Sequence, residues 1–220
     1  MRYAIIVAGG TGSRMGSKLP KQFITLQGIP VLGRTILRFK SFDPNIHIVV
    51  VVHPDFLDYW KLNAQALHLP EHTIVAGGET RFHSVQNGLN AIDAERGIVA
   101  VHDAVRMFVS NETLQRCFDT AAELGTAVPV MPVVDTLRHY DGERWRHAER
   151  NKFLAVQTPQ CFAMEILREA YYEEHSTSFT DDASVVESIG FKINIIEGNQ
   201  ENFKLTNRID LLVAEAILNS

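Results

Sequence analysis

The chain has 220 residues, of which 45% are hydrophobic and 21% charged, and its formal net charge is −5. That composition excludes the disordered, fibrous and membrane-embedded classes, and the acidic balance argues against a binder of nucleic-acid backbones, whose footprint is basic. Its two cysteines, Cys117 and Cys161, lack metal-ligand spacing and offer neither a disulfide framework nor a zinc site, so a reducing cytoplasm is the simplest compartment.

A chain of this length is expected to form one α/β domain over 1–220. The opening MRYAIIVAGG is too short an apolar stretch for a spanning helix and lacks the cleavage site of a leader. Runs rich in Val and Ile predict strands over 3–8, 46–52, 73–76, 98–101, 127–132 and 192–197, most of them buried on both sides. Helical spacing of apolar residues predicts helices over 31–42, 55–67, 84–92 and 111–124. Two later helices have readable starts: Thr180 is placed to cap one that carries Asp181 and Asp182 in its first turn and stops at Gly190, and Thr206 or Asn207 caps the C-terminal one. Alternation of this kind predicts a doubly wound, mainly parallel sheet of Rossmann-like type.

Residues 136–150, TLRHYDGERWRHAER, break the pattern: they are polar, carry the turn pair Asp141-Gly142, and read as a projecting β-hairpin. An isolated hairpin needs something to pack against. A second copy of the chain is the simplest partner, so a homodimer formed through this arm is expected.

The densest local signal follows the first strand, Ala8-Gly9-Gly10-Thr11-Gly12-Ser13-Arg14-Met15-Gly16, and ends at Pro20-Lys21-Gln22. A dinucleotide fingerprint is excluded, because Met15 stands where its third glycine belongs; a Walker loop is excluded too, because no Gly-Lys-Ser/Thr occurs. What remains is backbone able to approach a nucleotide closely, with amide donors for phosphate oxygens and two cations, Arg14 and Lys21. Alone, the glycines read equally as a tight strand-to-helix turn. Together with the cations they resemble the loop with which nucleotide-sugar pyrophosphorylases and cytidylyltransferases wrap a triphosphate.

Further along, Val101-His102-Asp103-Ala104-Val105-Arg106 places an acid at the carboxyl edge of the sheet. Asp103 is a candidate Mg²⁺ ligand, since that ion needs only one or two carboxylates beside phosphate oxygens and water; the plainer reading is a local ion pair with Arg106. Ser84, after Gly77-Gly78-Glu79-Thr80-Arg81, is a candidate either to bond a base or to cap a helix. Lys204 by itself reads as a surface cation.

Nearly end to end, these pieces resemble the 2-C-methyl-D-erythritol 4-phosphate cytidylyltransferases of the non-mevalonate isoprenoid pathway: AGGTGSRMG with PKQF, GGETR with SVQNGL, VHDAVR, the Asp135-Thr136 pair, Arg150 before TPQ, FTDDAS, and FKLT followed by Asp210-Leu211. The resemblance implies transfer of CMP from CTP to that polyol phosphate with release of pyrophosphate. It implies that Arg14 and Lys21 stabilise the transition state, that Asp103 carries Mg²⁺, and that Ala8, Gly9, Gly78, Glu79, Ser84 and Ala104 form the base pocket. Arg150, from the partner's arm, and Lys204 would position the polyol phosphate, with Arg106 and Thr136 near it. Two departures stand out, Val105-Arg106-Met107 in place of Ala-Arg-Pro and Glu149-Arg150 in place of Asp-Arg. Val105 is similar to the sister family that makes CDP-ribitol, which is the alternative activity; a catalytically idle nucleotide-binding module is the alternative from another class.

Overall fold

The computed structural model describes residues 1–10, 19–172 and 179–219. In chain order these form β1 (Arg2–Ala8), a small hairpin of β2 (Thr25–Leu26) and β3 (Ile29–Pro30), α1 (Val31–Phe42), β4 (His47–Val52), α2 (Leu57–Ala66), β5 (Thr73–Ala76), α3 (Arg81–Asn90), β6 (Ile98–Asp103), α4 (Asn111–Leu124) and β7 (Thr126–Pro132). The second half adds β8 (Leu137–Tyr140), β9 (Trp145–Ala148), β10 (Leu154–Val156), β11 (Gln160–Ala163), α5 (Met164–Tyr172), α6 (Asp182–Ser188), β12 (Ile195–Glu197) and α7 (Arg208–Leu218).

The main sheet runs β10-β7-β11-β6-β1-β4-β5, with β12 also on β7. Strands β6, β1, β4 and β5 are parallel, β12 is parallel to β7, and β10 and β11 run against their neighbours. Alternate side chains of β1 enter opposite cores, because successive Cβ atoms point to opposite faces. Ala4, Ile6 and Ala8 pack with Leu32, Ile36 and Phe39 of α1, Trp60 of α2 and Phe118 of α4. Tyr3 and Ile5 pack with Val85 of α3, Leu167 of α5 and Val185 of α6. Helices on both faces explain why the central strands read as unbroken apolar runs.

From β1 the chain winds outward through β4 to β5, then returns past β1 to β6. The strand order therefore reverses between β1 and β6, and crevices at the carboxyl ends of such strands are where open α/β sheets hold ligands. At Gly88 the helix α3 lies so close to the sheet that an added Cβ would stand 2.6 Å from Ile5 Cγ2.

Three local expectations are corrected. Helix α3 starts at Arg81, three residues before Ser84, and is capped by Thr80, whose hydroxyl accepts from His83 N; Ser84 sits inside the first turn. Helix α6 is capped by Asp181, not Thr180: the carboxylate accepts from Ser184 N, and an acid at this place also answers the positive end of the helix. The pair β11 and α5 was not expected from sequence. The hairpin over 136–150 is present as β8 and β9, antiparallel and paired only with each other.

Candidate active site

A cavity of about 400 Å³ opens at the reversal point. Its floor is the end of β1, Val7 to Gly10, and the end of β6, Asp103 to Val105; Lys21 and Gln22, the segment from Gly78 to Arg81 with Ser84, and Lys204 with Thr206 complete it. The backbone near Gly9 is held by Gln22, whose buried amide donates to Ala8 O at 2.7 Å and Gly10 O at 2.8 Å. Each such bond contributes on the order of 1 kcal/mol, and together they fix the strand exit at the floor of the cavity.

The opposite wall depends on small residues. Ser84 Oγ donates to Thr80 O at 2.9 Å and accepts from Gly78 N at 3.1 Å. A Cβ on Gly78 would stand 2.3 Å from His83 Cβ, so this wall admits no larger residue without moving the first turn of α3.

Charge gathers on the third side. Asp103 Oδ2 bonds Lys204 Nζ at 3.0 Å and Arg106 Nε at 3.2 Å. Burial pushes the Asp103 carboxyl up, but Lys204, Arg106 and Arg81 outweigh it and hold the group below the usual carboxylate range. The local ion pair read from the sequence is thus present. Arg106 also donates to Asn202 O at 2.8 Å and does not line the cavity; it anchors the segment that carries Lys204. Val105 and Met107 are buried with Leu26, Val31, Leu205 and Ala214, and Val105 O accepts from Leu205 N at 3.0 Å. The two residues that make up the first departure from the family pattern therefore pack under the Lys204 segment.

Beneath Asp103 lies a polar chain that the sequence reading left without a role. Asp103 N donates to Thr158 Oγ1 at 3.0 Å, Thr158 Oγ1 is 3.0 Å from His102 Nδ1, and His102 Nε2 is 2.9 Å from Arg106 O. Arg106 O can only accept, so the neutral His102 ring carries its hydrogen on Nε2, and Nδ1 accepts from the Thr158 hydroxyl. Burial lowers the His102 pKa to about 4 and keeps the ring neutral.

Arg14 lies outside the described residues. Thr136 and Arg150 line a separate hollow of about 430 Å³ with 147–149 and Asn151 on the arm, and Arg150 donates to Val134 O. One chain therefore brings together Ala8, Gly9, Lys21, Gly78, Glu79, Ser84, Asp103, Ala104 and Lys204, but not Thr136 or Arg150. Among the described residues no group of three or more His, Cys, Asp or Glu is arranged to hold a metal ion.

The family model for 2-C-methyl-D-erythritol 4-phosphate cytidylyltransferase matches residues 3–220. The chain belongs to that family. A relative so named from Phocaeicola vulgatus is 46% identical over 218 residues, covering 99% of each chain. The crystal structure of the enzyme of that name from Thermus thermophilus matches over 100% of both chains with a TM-score of 0.80 and 32% identity. The 4-diphosphocytidyl-2C-methyl-D-erythritol synthase structure from Anaerococcus prevotii covers 100% of this chain and is covered to 96%, with a TM-score of 0.85 at 25% identity. The cavity gathers backbone at Gly9 and Gly78, the cations Lys21 and Lys204, and the carboxylate of Asp103 at the end of β6.

Three contributors escaped the sequence reading: Gln22, the His102-Thr158 pair, and Arg81 with Asp182. All five residues stood inside quoted motifs, PKQF, GGETR, VHDAVR, TPQ and FTDDAS, and that clustering was the available signal.

Proposed function

We infer that the cavity transfers CMP from CTP to 2-C-methyl-D-erythritol 4-phosphate, the reaction for which the family is named, and that the residues around it divide between base, triphosphate and acceptor. The observation that carries this reading is the meeting of Gly9, Gly78, Ser84, Lys21, Asp103 and Lys204, from five parts of the chain, around one space.

An oxygen of the acceptor phosphate attacks the α-phosphorus of CTP, forming a new P–O bond. The bond from that phosphorus to the bridging oxygen breaks, and its electron pair leaves on pyrophosphate. Because the attacking oxygen is already anionic at neutral pH, no side chain has to remove a proton. The obstacle is charge, and fixed cations answer it. Lys21 and Arg14 are assigned to the triphosphate and its transition state. Lys204, held by Asp103 at the cavity edge, aligns the acceptor phosphate. Gly78, Glu79, Ser84, Ala8, Gly9 and Ala104 enclose the base.

A divalent cation fits here only if shared: Asp103 is the protein ligand assigned to Mg²⁺, and the nucleotide's own oxygens supply the rest. Bound there, it would neutralise phosphate charge. Arg150 and Thr136, remote from their own cavity, are assigned to the cavity of a partner subunit reached by the β8-β9 arm, on which Tyr140 and Trp145 are 56% and 66% exposed. Arg106 acts near the acceptor by anchoring the Lys204 segment. A cytoplasmic setting suits the two free, buried thiols.

The test is pyrophosphate release from CTP and Mg²⁺, with methylerythritol phosphate and ribitol 5-phosphate offered in parallel. Turnover with the first alone is expected; turnover with ribitol 5-phosphate alone would transfer the assignment to the sister activity. In the same assay Lys21→Ala should lower kcat by roughly 100-fold or more while changing CTP affinity far less. An unaltered kcat would remove Lys21 from the transition state.

A further inference from the structure

The mechanism makes no use of a buried ion pair that reaches the cavity from behind. Arg81, the first residue of α3, lines the cavity, and its Nη1 and Nη2 donate to Asp182 Oδ1 and Oδ2 at 2.9 and 2.6 Å. The Asp182 side chain is 0% exposed and that of Arg81 25%. Tyr171 OH donates to the same Oδ1 at 2.7 Å, and the Tyr171 ring stacks on Phe82, the next residue of α3, at 4.6 Å. Burial opposes the charge on Arg81, yet Asp182 outweighs it and holds the guanidinium more firmly protonated than usual.

Asp182 is itself held. Gln160 Oε1 accepts from the backbone N of Asp182 and of Ala183 at 3.0 and 2.8 Å, and Gln160 Nε2 donates to Asp181. Gln160 opens β11 two residues after Thr158, the residue bonded to Asp103 N. One polar path therefore joins the β6 side of the cavity to the first turn of α3 on the other.

Stability alone does not account for such a pair. Desolvating two ions is costly, and well-packed apolar residues of similar volume are often as stable or more so. What the bidentate pair supplies is direction, since a planar guanidinium on a carboxylate has one geometry.

We propose that Asp182 is a positioning residue for the nucleotide: by gripping Arg81 it fixes the first turn of α3, and with it the wall from Gly78 to Ser84, at the separation from the end of β1 that CTP requires. This rests on reading the cavity as the nucleotide site. Asp182 touches no substrate; Arg81 and the α3 turn carry its effect.

The experiment measures CTP binding by calorimetry together with kcat and both KM values. Asp182→Asn should raise the Kd and KM for CTP about 10- to 100-fold, the range for lost hydrogen bonds to a charged group, with kcat changed about threefold or less and the acceptor KM unmoved. Because an orphaned Arg81 endangers folding, the paired variant Arg81→Met with Asp182→Leu provides the decisive arm. Its melting temperature should stay near that of the natural chain while CTP binding stays impaired. A folded paired variant with undiminished CTP affinity would overturn the proposal. Tyr171→Phe keeps the ion pair and loosens only Asp182, so it should weaken CTP binding about two- to fivefold; unchanged binding there counts against the proposal too. Failure of the natural chain to bind CTP would refute the nucleotide reading itself, before any variant is compared.

Discussion

His102 shows how a single side chain ties the site to the fold. The ring is wholly buried and bonded at both nitrogens, so protonation would set a proton against Thr158 while leaving the charge out of water. Its pKa falls from an ordinary 6.5 to about 4 on folding. A depressed value means that the unfolded chain binds the proton first. The stabilising contribution is therefore complete above about pH 6.5 and is lost as pH falls toward 4, to an extent on the order of 3 kcal/mol. Urea unfolding at pH 7.5 and 4.5 should show a steeper loss for the natural chain than for His102→Gln. The comparison with the variant is needed because burial also lowers the pKa of His72. Equal losses would mean that His102 is not buried neutral. At this scale the sequence was partly legible. Glycines, Lys21, Asp103 and Lys204 were readable because their neighbours in the chain carry the pattern. The Arg81 bond to Asp182 spans 101 positions, and nothing local to either residue announces the other.

Elements were legible where they obey the commonest rules. Helices α1 and α4 and strand β5 fall at their expected bounds, since amphipathic helices have a strong period and β5 is a short run rich in β-branched residues that ends before Gly77. The pair β11 and α5 was not, because β11 is a four-residue strand with no β-branched side chain and α5 begins at the very next residue. Strands β10 and β11 both pair antiparallel with β7, in registers offset by two residues, and the chain between them is 157–159. That connection delivers Thr158 to the Asp103 backbone. The first turn of α3 is the other element on which the site depends. Gly78→Ala would drive a methyl into His83 Cβ and displace the turn; CTP affinity should fall about tenfold or more while the fold survives with a stability loss of about 1–3 kcal/mol. Calorimetry on the variant checks this, and an unchanged affinity would mean that the wall moves freely.

Across the whole molecule, the doubly wound sheet was legible from alternation, and the projecting hairpin from its polarity and the Asp141-Gly142 turn pair where that alternation breaks; Thr136 and Arg150 lie apart from the Lys204 cavity on one chain. The arm has a consequence for how association can be watched. Strands β8 and β9 are four residues each and hydrogen-bond only to one another. A two-stranded ribbon of that length is marginal in water, so in an isolated chain it opens at almost no cost. Amide hydrogens at 137–140 and 145–148 should then exchange with deuterium nearly as fast as in a peptide when the protein is dilute, and become protected as concentration rises, while β1 and β4 stay protected throughout. Fast exchange of the arm at every concentration would show that it docks on no second copy. On the proposed docking, arm amides report subunit association without substrate, label or activity, at the residues that a partner would cover.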